Sequence, residues 1–285
     1  VGLWLERPRR AGKARPIGGD AARPPVRKAA ATKPPSWKAP QRSRGSGAAR
    51  GVARGGRARN AGGGEERRSS VEGADALAAA VRVGRARELP RLLDEAWARI
   101  RREGLAAADA AAVEAQQLLS ALRACAAQRC FREALAAYDH VAGRLGVGCG
   151  GVWSLLLYSA VAAGEFQRCE AFFEKLCRFA DPSGHDFLNM VRYFVRLRSL
   201  GGLRGMLEDL EGRGVQVDGL SWNRALAACA SAGALDLAEA LVASGTRKGA
   251  MDAVAYNTLM WGYARSGNPA RCFECYEEMQ ARDVQ

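Results

Sequence analysis

Two segments near the end of the chain repeat each other at a distance of 34 residues. One reads DGLSWNRALAACASAGALDLAEALVASG from Asp218, the other DAVAYNTLMWGYARSGNPARCFECYEEM from Asp252. Asp218 aligns with Asp252, Trp222-Asn223 with Tyr256-Asn257, and Gly233 with Gly267. A fixed period in the thirties restricts a chain to stacked supersecondary units. A single unit of that length cannot bury its own apolar face, so neighbours must share a core.

One unit reads as two helices. Ala255 to Arg265 is helix-compatible, with Leu259, Met260 and Tyr263 at helical spacing. Ser266, Gly267 and Asn268 suit a helix stop, and Pro269 suits the first turn of the next helix. Cys272, Phe273, Tyr276 and Met279 then form the stripe of a second helix. The expectation is an all-α fold, an α-solenoid of stacked helix-turn-helix repeats with a period of 34 to 35.

One position anchors each repeat, directly after a bulky apolar or aromatic residue. Reading backwards, these slots are Asn257, Asn223, Asn189, Ser154 and Leu119. Ten residues after each slot come Gly267, Gly233, Ser199, Gly164 and Arg129. Fifteen after come Cys272, Ala238, Arg204, Cys169 and Ala134. Arg204 breaks the small-residue pattern. There the stripe Leu203, Leu207 and Leu210 runs one register early, as if the turn between the helices had lost a residue. Repeats are expected to start near Gly150, His185, Gly219 and Ala253, with a weaker one near Ala115.

Three regions follow. Residues 1–72 form a basic tail and residues 73–114 a degenerate helix pair or cap, from Ala74–Val83 and Glu88–Arg102. Residues 115–285 form the array, whose last repeat is truncated at Gln285. The chain reads as a fragment open at one or both ends.

The net charge of +13 points to nucleic acid only until it is located. Residues 1–70 carry 18 Lys and Arg against 4 Asp and Glu, and the rest carry 25 against 26. The excess belongs to the tail, and the array is close to neutral, so a global charge argument fails. The tail is rich in Arg, Pro, Gly, Ala and Ser without apolar periodicity, and is expected to be disordered. An organelle transit sequence and an arm adding non-specific phosphate contacts fit the same composition.

Other chemistry is thinly represented. No run reaches the roughly 18 apolar residues of a membrane helix. Cys272 and Cys275 make one Cys-x-x-Cys, but no second pair at zinc-like spacing accompanies them. Cys272 and Cys169 share one repeat position and Cys125 and Cys229 another, which suits small buried residues in a reducing compartment. His140 and His185 are the only histidines. No cofactor motif, metal set, catalytic triad, paired carboxylates or phosphate loop stands out, and the expectation is a non-enzyme without cofactor. Trp153, Trp222 and Tyr256, each just before a slot, read as core rather than as base-stacking rings.

The residues VAYNTLMWGYARSGNPARCFECYEEM and LSWNRALAACASAGALDLAEALV resemble the pentatricopeptide repeat family, over roughly Ala115 to Gln285. The related tetratricopeptide signature is not found. The resemblance implies binding of single-stranded RNA, one base per repeat, read by two or three side chains. In that family the slot residue acts with the last residue of its repeat. Here the pairs are Asn189 with Asp218 and Asn223 with Asp252, a combination that favours uracil at two adjacent repeats. The Asn amide matches the donor and acceptor of a uracil edge, and the Asp orients it. Leu220 and Val254, three before the slot, would lie against base faces, whereas Asp186 and Gly151 depart from that pattern. Ser154 pairs with Gly184 and Leu119 with Cys149, neither a standard reading pair. Asn257 would pair beyond Gln285. The resemblance and the basic tail together imply a plastid or mitochondrion, and RNA processing, editing, stability or translation. The competing expectation is a tetratricopeptide-like scaffold that binds protein partners.

Overall fold

The computed structural model describes residues 63–284 apart from 146–148, 248 and 250, with side chains from Gly73 onward except that of Arg247. The expectations for residues 1–62 lie outside the described residues.

Twelve α-helices follow one another among the described residues. They are α1 (Gly63–Arg82), α2 (Leu89–Arg102), α3 (Ala107–Ala127), α4 (Phe131–Val141), α5 (Gly150–Ala163) and α6 (Cys169–Phe179). The series continues with α7 (Gly184–Leu197), α8 (Leu200–Gly212), α9 (Gly219–Ser231), α10 (Leu235–Arg247), α11 (Ala253–Arg265) and α12 (Pro269–Ala281). Short 3-10 turns at Ala86–Glu88 and Phe166–Arg168 lead into α2 and α6. There are no strands among the described residues.

The helices pair as the period requires. The first helices α1, α3, α5, α7, α9 and α11 pack one on the next in an unbroken series. Second helices lie behind them, α2 on α4 and α8 on α10. The fold is thus an α-solenoid of helix pairs. The residue before each slot faces inward: Leu118, Trp153, Leu188, Trp222 and Tyr256 are all buried. So are the residues two after it, Ala121, Leu156, Val191, Ala225 and Leu259. Each large side chain buried this way contributes roughly 1.5–3 kcal/mol. Trp222 stacks on Phe187 with centroids 5.1 Å apart, joining α9 to α7. The three aromatic residues before the slots are core, as their pattern suggested.

From α3 onward each first helix ends in a left-handed residue. These are Arg129 (φ 58°), Gly164 (81°), Arg198 (53°), Gly233 (62°) and Gly267 (73°). Four sit ten residues after their slot, but Arg198 sits nine after Asn189. The α7–α8 turn is therefore one residue short, as the early Leu203, Leu207 and Leu210 stripe implied, and all three leucines are buried. Arg198 stands where glycine is favoured. It donates two hydrogen bonds to the end of α9, to the carbonyls of Ala232 (2.7 Å) and Gly233 (2.9 Å).

Three expectations need correction. Helix α1 begins at Gly63, ten residues before the compositional change at 73. Helix α3 begins at Ala107, so the boundary at 115 falls inside it, because AADAAAVEA is strongly helix-favouring and extends the helix backwards. Only half of the stripe assigned to α12 packs: Cys272 and Met279 are partly buried against the core. Cys275 is the buried residue there, whereas Phe273 is 70% and Tyr276 44% exposed. Helix α12 packs on α11, and no later helix pair among the described residues covers its other side.

Candidate nucleic-acid interface

Asn189, Asn223 and Asn257 occupy the same turn of three successive first helices, α7, α9 and α11. Asn189 is 5% exposed, Asn223 is half-buried and Asn257 is exposed. Leu220 and Val254 lie one turn earlier and are 60% and 57% exposed. Apolar side chains left open at the start of two neighbouring helices make a pair of flat steps beside the amides.

The carboxylates meet the amides unequally. Asp252 caps α11, taking the Ala255 N–H on Oδ1 at 2.8 Å. The same carboxylate accepts the Asn223 amide, with Nδ2 at 3.0 Å from Oδ2 and 3.2 Å from Oδ1. A carboxylate can only accept, so this contact fixes which end of the amide is nitrogen. Oδ1 of Asn223 is enclosed and has no partner among the described residues.

Asp218 also caps its helix, taking the Ser221 N–H on Oδ1 at 2.8 Å. Its second oxygen, however, accepts the Ser221 hydroxyl at 2.7 Å. Those two bonds hold the Asp218 carboxyl below its ordinary range. Gly184 lies directly beneath, where a Cβ would come within 2.2 Å of Ser221 Oγ and 2.4 Å of Asp218 Oδ2. The expected Asn189–Asp218 contact is therefore not made. A hydroxyl three residues away on the same chain is the nearer donor and takes the place of the amide.

The earlier slots do different work. Ser154 donates to Asp186 at 2.5 Å, and Asp186, 2% exposed, also accepts from the Ser183 N–H and hydroxyl in a capping box. This cluster fastens α5 to the start of α7. Asp186 departs from the aliphatic pattern at its position because it is a buried structural acceptor. Leu119 is buried, under Gly151.

Two further residues were not anticipated. Arg192 and Arg196 follow Asn189 at i+3 and i+7, the same stripe of α7. With Arg198, Val161, Phe166 and Ala228 they line a shallow depression of about 530 Å³. Both are exposed, and neither has a hydrogen-bond or ion-pair partner among the described residues. At the position of Arg192 the other repeats carry Leu122, Leu157, Leu226 and Met260. Comparing repeats for charge as well as for apolar residues finds both arginines from the sequence.

The rest of the surface offers little chemistry. Among the described residues no three His, Cys, Asp or Glu converge as a metal site. Burial pushes the thiols of Cys125, Cys169 and Cys229 up to about 12, so they are inert packing groups. No described helix is long and apolar enough to cross a membrane.

Residues 254–284, the α11–α12 pair, match the family model described as the PPR repeat. That pair is a pentatricopeptide repeat unit. The helix-pair array extends the unit matched by that model back along the chain at the same period, and members of the family generally bind RNA. No curated protein matches this chain. Among solved structures it is similar to the pentatricopeptide repeat protein PPR10 from maize, with 24% identity and a TM-score of 0.48. That likeness covers 74% of this chain and 29% of the maize protein.

Proposed function

We propose that this chain binds single-stranded RNA and reads uracil at the repeat headed by Asn223. The observation that carries the reading is the Asn223–Asp252 pair. Asp252 holds the amide by its nitrogen and fixes its orientation, which leaves the second N–H to donate to a base. A uracil edge presents a carbonyl acceptor to that N–H where cytosine presents an amino group. Leu220 and Val254 flank the pair as apolar surfaces for base faces. Arg192 and Arg196 supply free cationic groups on the neighbouring helix for the sugar–phosphate backbone.

Stacking and edge contacts contribute about 1–3 kcal/mol per base, so one or two read bases give weak binding and a long array gives more. The RNA-binding surface of this proposal comprises Asn223, Asp252, Leu220 and Val254. Asn189, Asp218, Asn257 and Ser154 hold the equivalent or adjoining positions. Action in a plastid or mitochondrion, on processing, editing, stability or translation of a transcript, belongs to the same proposal and rests on the basic tail and the family.

Binding of the full chain to oligo-U and to oligo-A by fluorescence anisotropy tests it. Preference for oligo-U, reduced by Asn223→Ala, is the expected result. Equal binding to both would sink base reading, and no binding to either would favour a protein-binding scaffold.

A further inference from the structure

We infer that Ser221 withholds Asp218 from Asn189 and thereby makes the α7 repeat a permissive base position beside a selective one. The inference rests on the RNA-binding reading and concerns how that one surface divides its labour.

The two junctions differ at a single acceptor. Asp218 and Asp252 both spend one oxygen on the third backbone N–H of their helix, from Ser221 and Ala255 respectively. The second oxygen decides the outcome. At Asp252 it takes the Asn223 amide, because Ala255 has no hydroxyl to offer. At Asp218 it takes the Ser221 hydroxyl. A donor three residues away is already held in place by the cap, whereas the amide on the neighbouring helix must be ordered separately.

Gly184 reinforces the choice. It leaves room at the first turn of α7 for the Asp218–Ser221 pair, which no side chain there would allow. Asn189 lies five residues further along α7, about 7.5 Å by the helical rise. The carboxylate is thus drawn toward the start of α7 and away from the amide. Without an acidic partner no carboxylate fixes which end of the Asn189 amide, 5% exposed, meets a base, and it can satisfy a uracil edge or a cytosine edge. Asn223, held by Asp252, cannot turn.

The substitution that exchanges the two behaviours is already present in the chain. Ser221 aligns with Ala255, both buried, so each tolerates the other's residue. Ser221→Ala frees Asp218 for Asn189, and Ala255→Ser draws Asp252 from Asn223.

The test uses the full chain and a labelled uridine run in which one cytidine is moved along the sequence. In the wild type, cytidine costs about tenfold in affinity at the Asn223 register and less than about threefold at the Asn189 register, the worth of one charge-assisted hydrogen bond made or broken. Ser221→Ala should raise the Asn189 penalty to about tenfold, and Ala255→Ser should lower the Asn223 penalty toward threefold. Selectivity at the Asn223 register that neither variant alters overturns the role of Ser221 and leaves base reading intact.

A wild type indifferent to cytidine everywhere overturns base reading instead, and a measurement without RNA then decides on Ser221. Titrated by NMR, the Asn189 side-chain amide should follow the Asp218 carboxyl in Ser221→Ala and stay still in the wild type. Equal movement in both, or stillness in both, overturns the inference.

Discussion

The α7–α9 and α9–α11 junctions are built from the same parts and end in different states. Each has an Asn one turn into the earlier helix, an Asp capping the later helix, and an open aliphatic residue two after that Asp. At the second junction the Asn and the Asp meet, and at the first they do not. The difference is a hydroxyl at residue 221 and empty space above Gly184. Matching residue types at matching positions are therefore not enough to build the same site, because a local donor can claim the acceptor first.

The largest test of that comparison removes its frame. Trp222→Ala takes out the fully buried ring that stacks on Phe187 and sets the distance between α7 and α9. It should cost about 3–5 kcal/mol, read as a lower midpoint in denaturant. If the loss is under about 1 kcal/mol, the ring does not set that spacing, and the geometry assigned to the first junction falls with it.

Next comes the contrast between the two amides. Asn223→Ala should erase preference between uridine and cytidine at its register, a change of about 1–3 kcal/mol. Asn189→Ala should change the preference at its own register by less than half as much. Equal losses in competition binding would mean that the hydrogen bond from Asp252 confers nothing.

A smaller effect is expected from the arginines, which belong to the first junction alone. Replacing Arg192 and Arg196 together by Ala should weaken binding to every sequence alike. It should also flatten the salt dependence, by about 0.7 in logarithmic slope for each phosphate no longer neutralised. A weakening confined to one base would show that these side chains read sequence.

The smallest effect concerns acidity. The Ser221 hydroxyl and N–H depress the Asp218 carboxyl in the folded chain. A depressed carboxyl stabilises the fold above its unfolded value, about 3.9, and that contribution fades as pH falls through the lower folded value. Ser221→Ala should therefore reduce the loss of thermal stability on acidification through that window. An unchanged acid limb in thermal melts would show that the hydroxyl bond is not maintained in solution.

Much of the scaffold is legible in the residues themselves. The buried Trp222 and Tyr256, the slots at 34-residue spacing, and even the missing residue at Arg198 follow from periodicity, since packing repeats when the sequence does. The start of α1 does not follow, because GGEERRSS has the composition of the tail before it and no apolar stripe. The open face of α12 is not legible for a related reason. Its residues have the spacing of a buried stripe, but spacing alone does not say whether a neighbour is present to cover it. The site is less legible than the scaffold. Asn223 with Asp252 can be read from two letters and a spacing, but the same letters describe Asn189 with Asp218. What separates them is competition for one oxygen, decided by Ser221 and by the room above Gly184, and no repeat pattern records that contest.

Arg198 has a mechanical consequence. By gripping the carbonyls of Ala232 and Gly233 just past α9, it ties the turns of two adjoining helix pairs together, a reach that a glycine at the same turn cannot make. If the spiral tightens or slackens as a strand threads along it, the turns that follow α7 and α9 will move together. The α7–α9 stretch will travel as one stiff block, a fixed pitch against which its neighbours adjust.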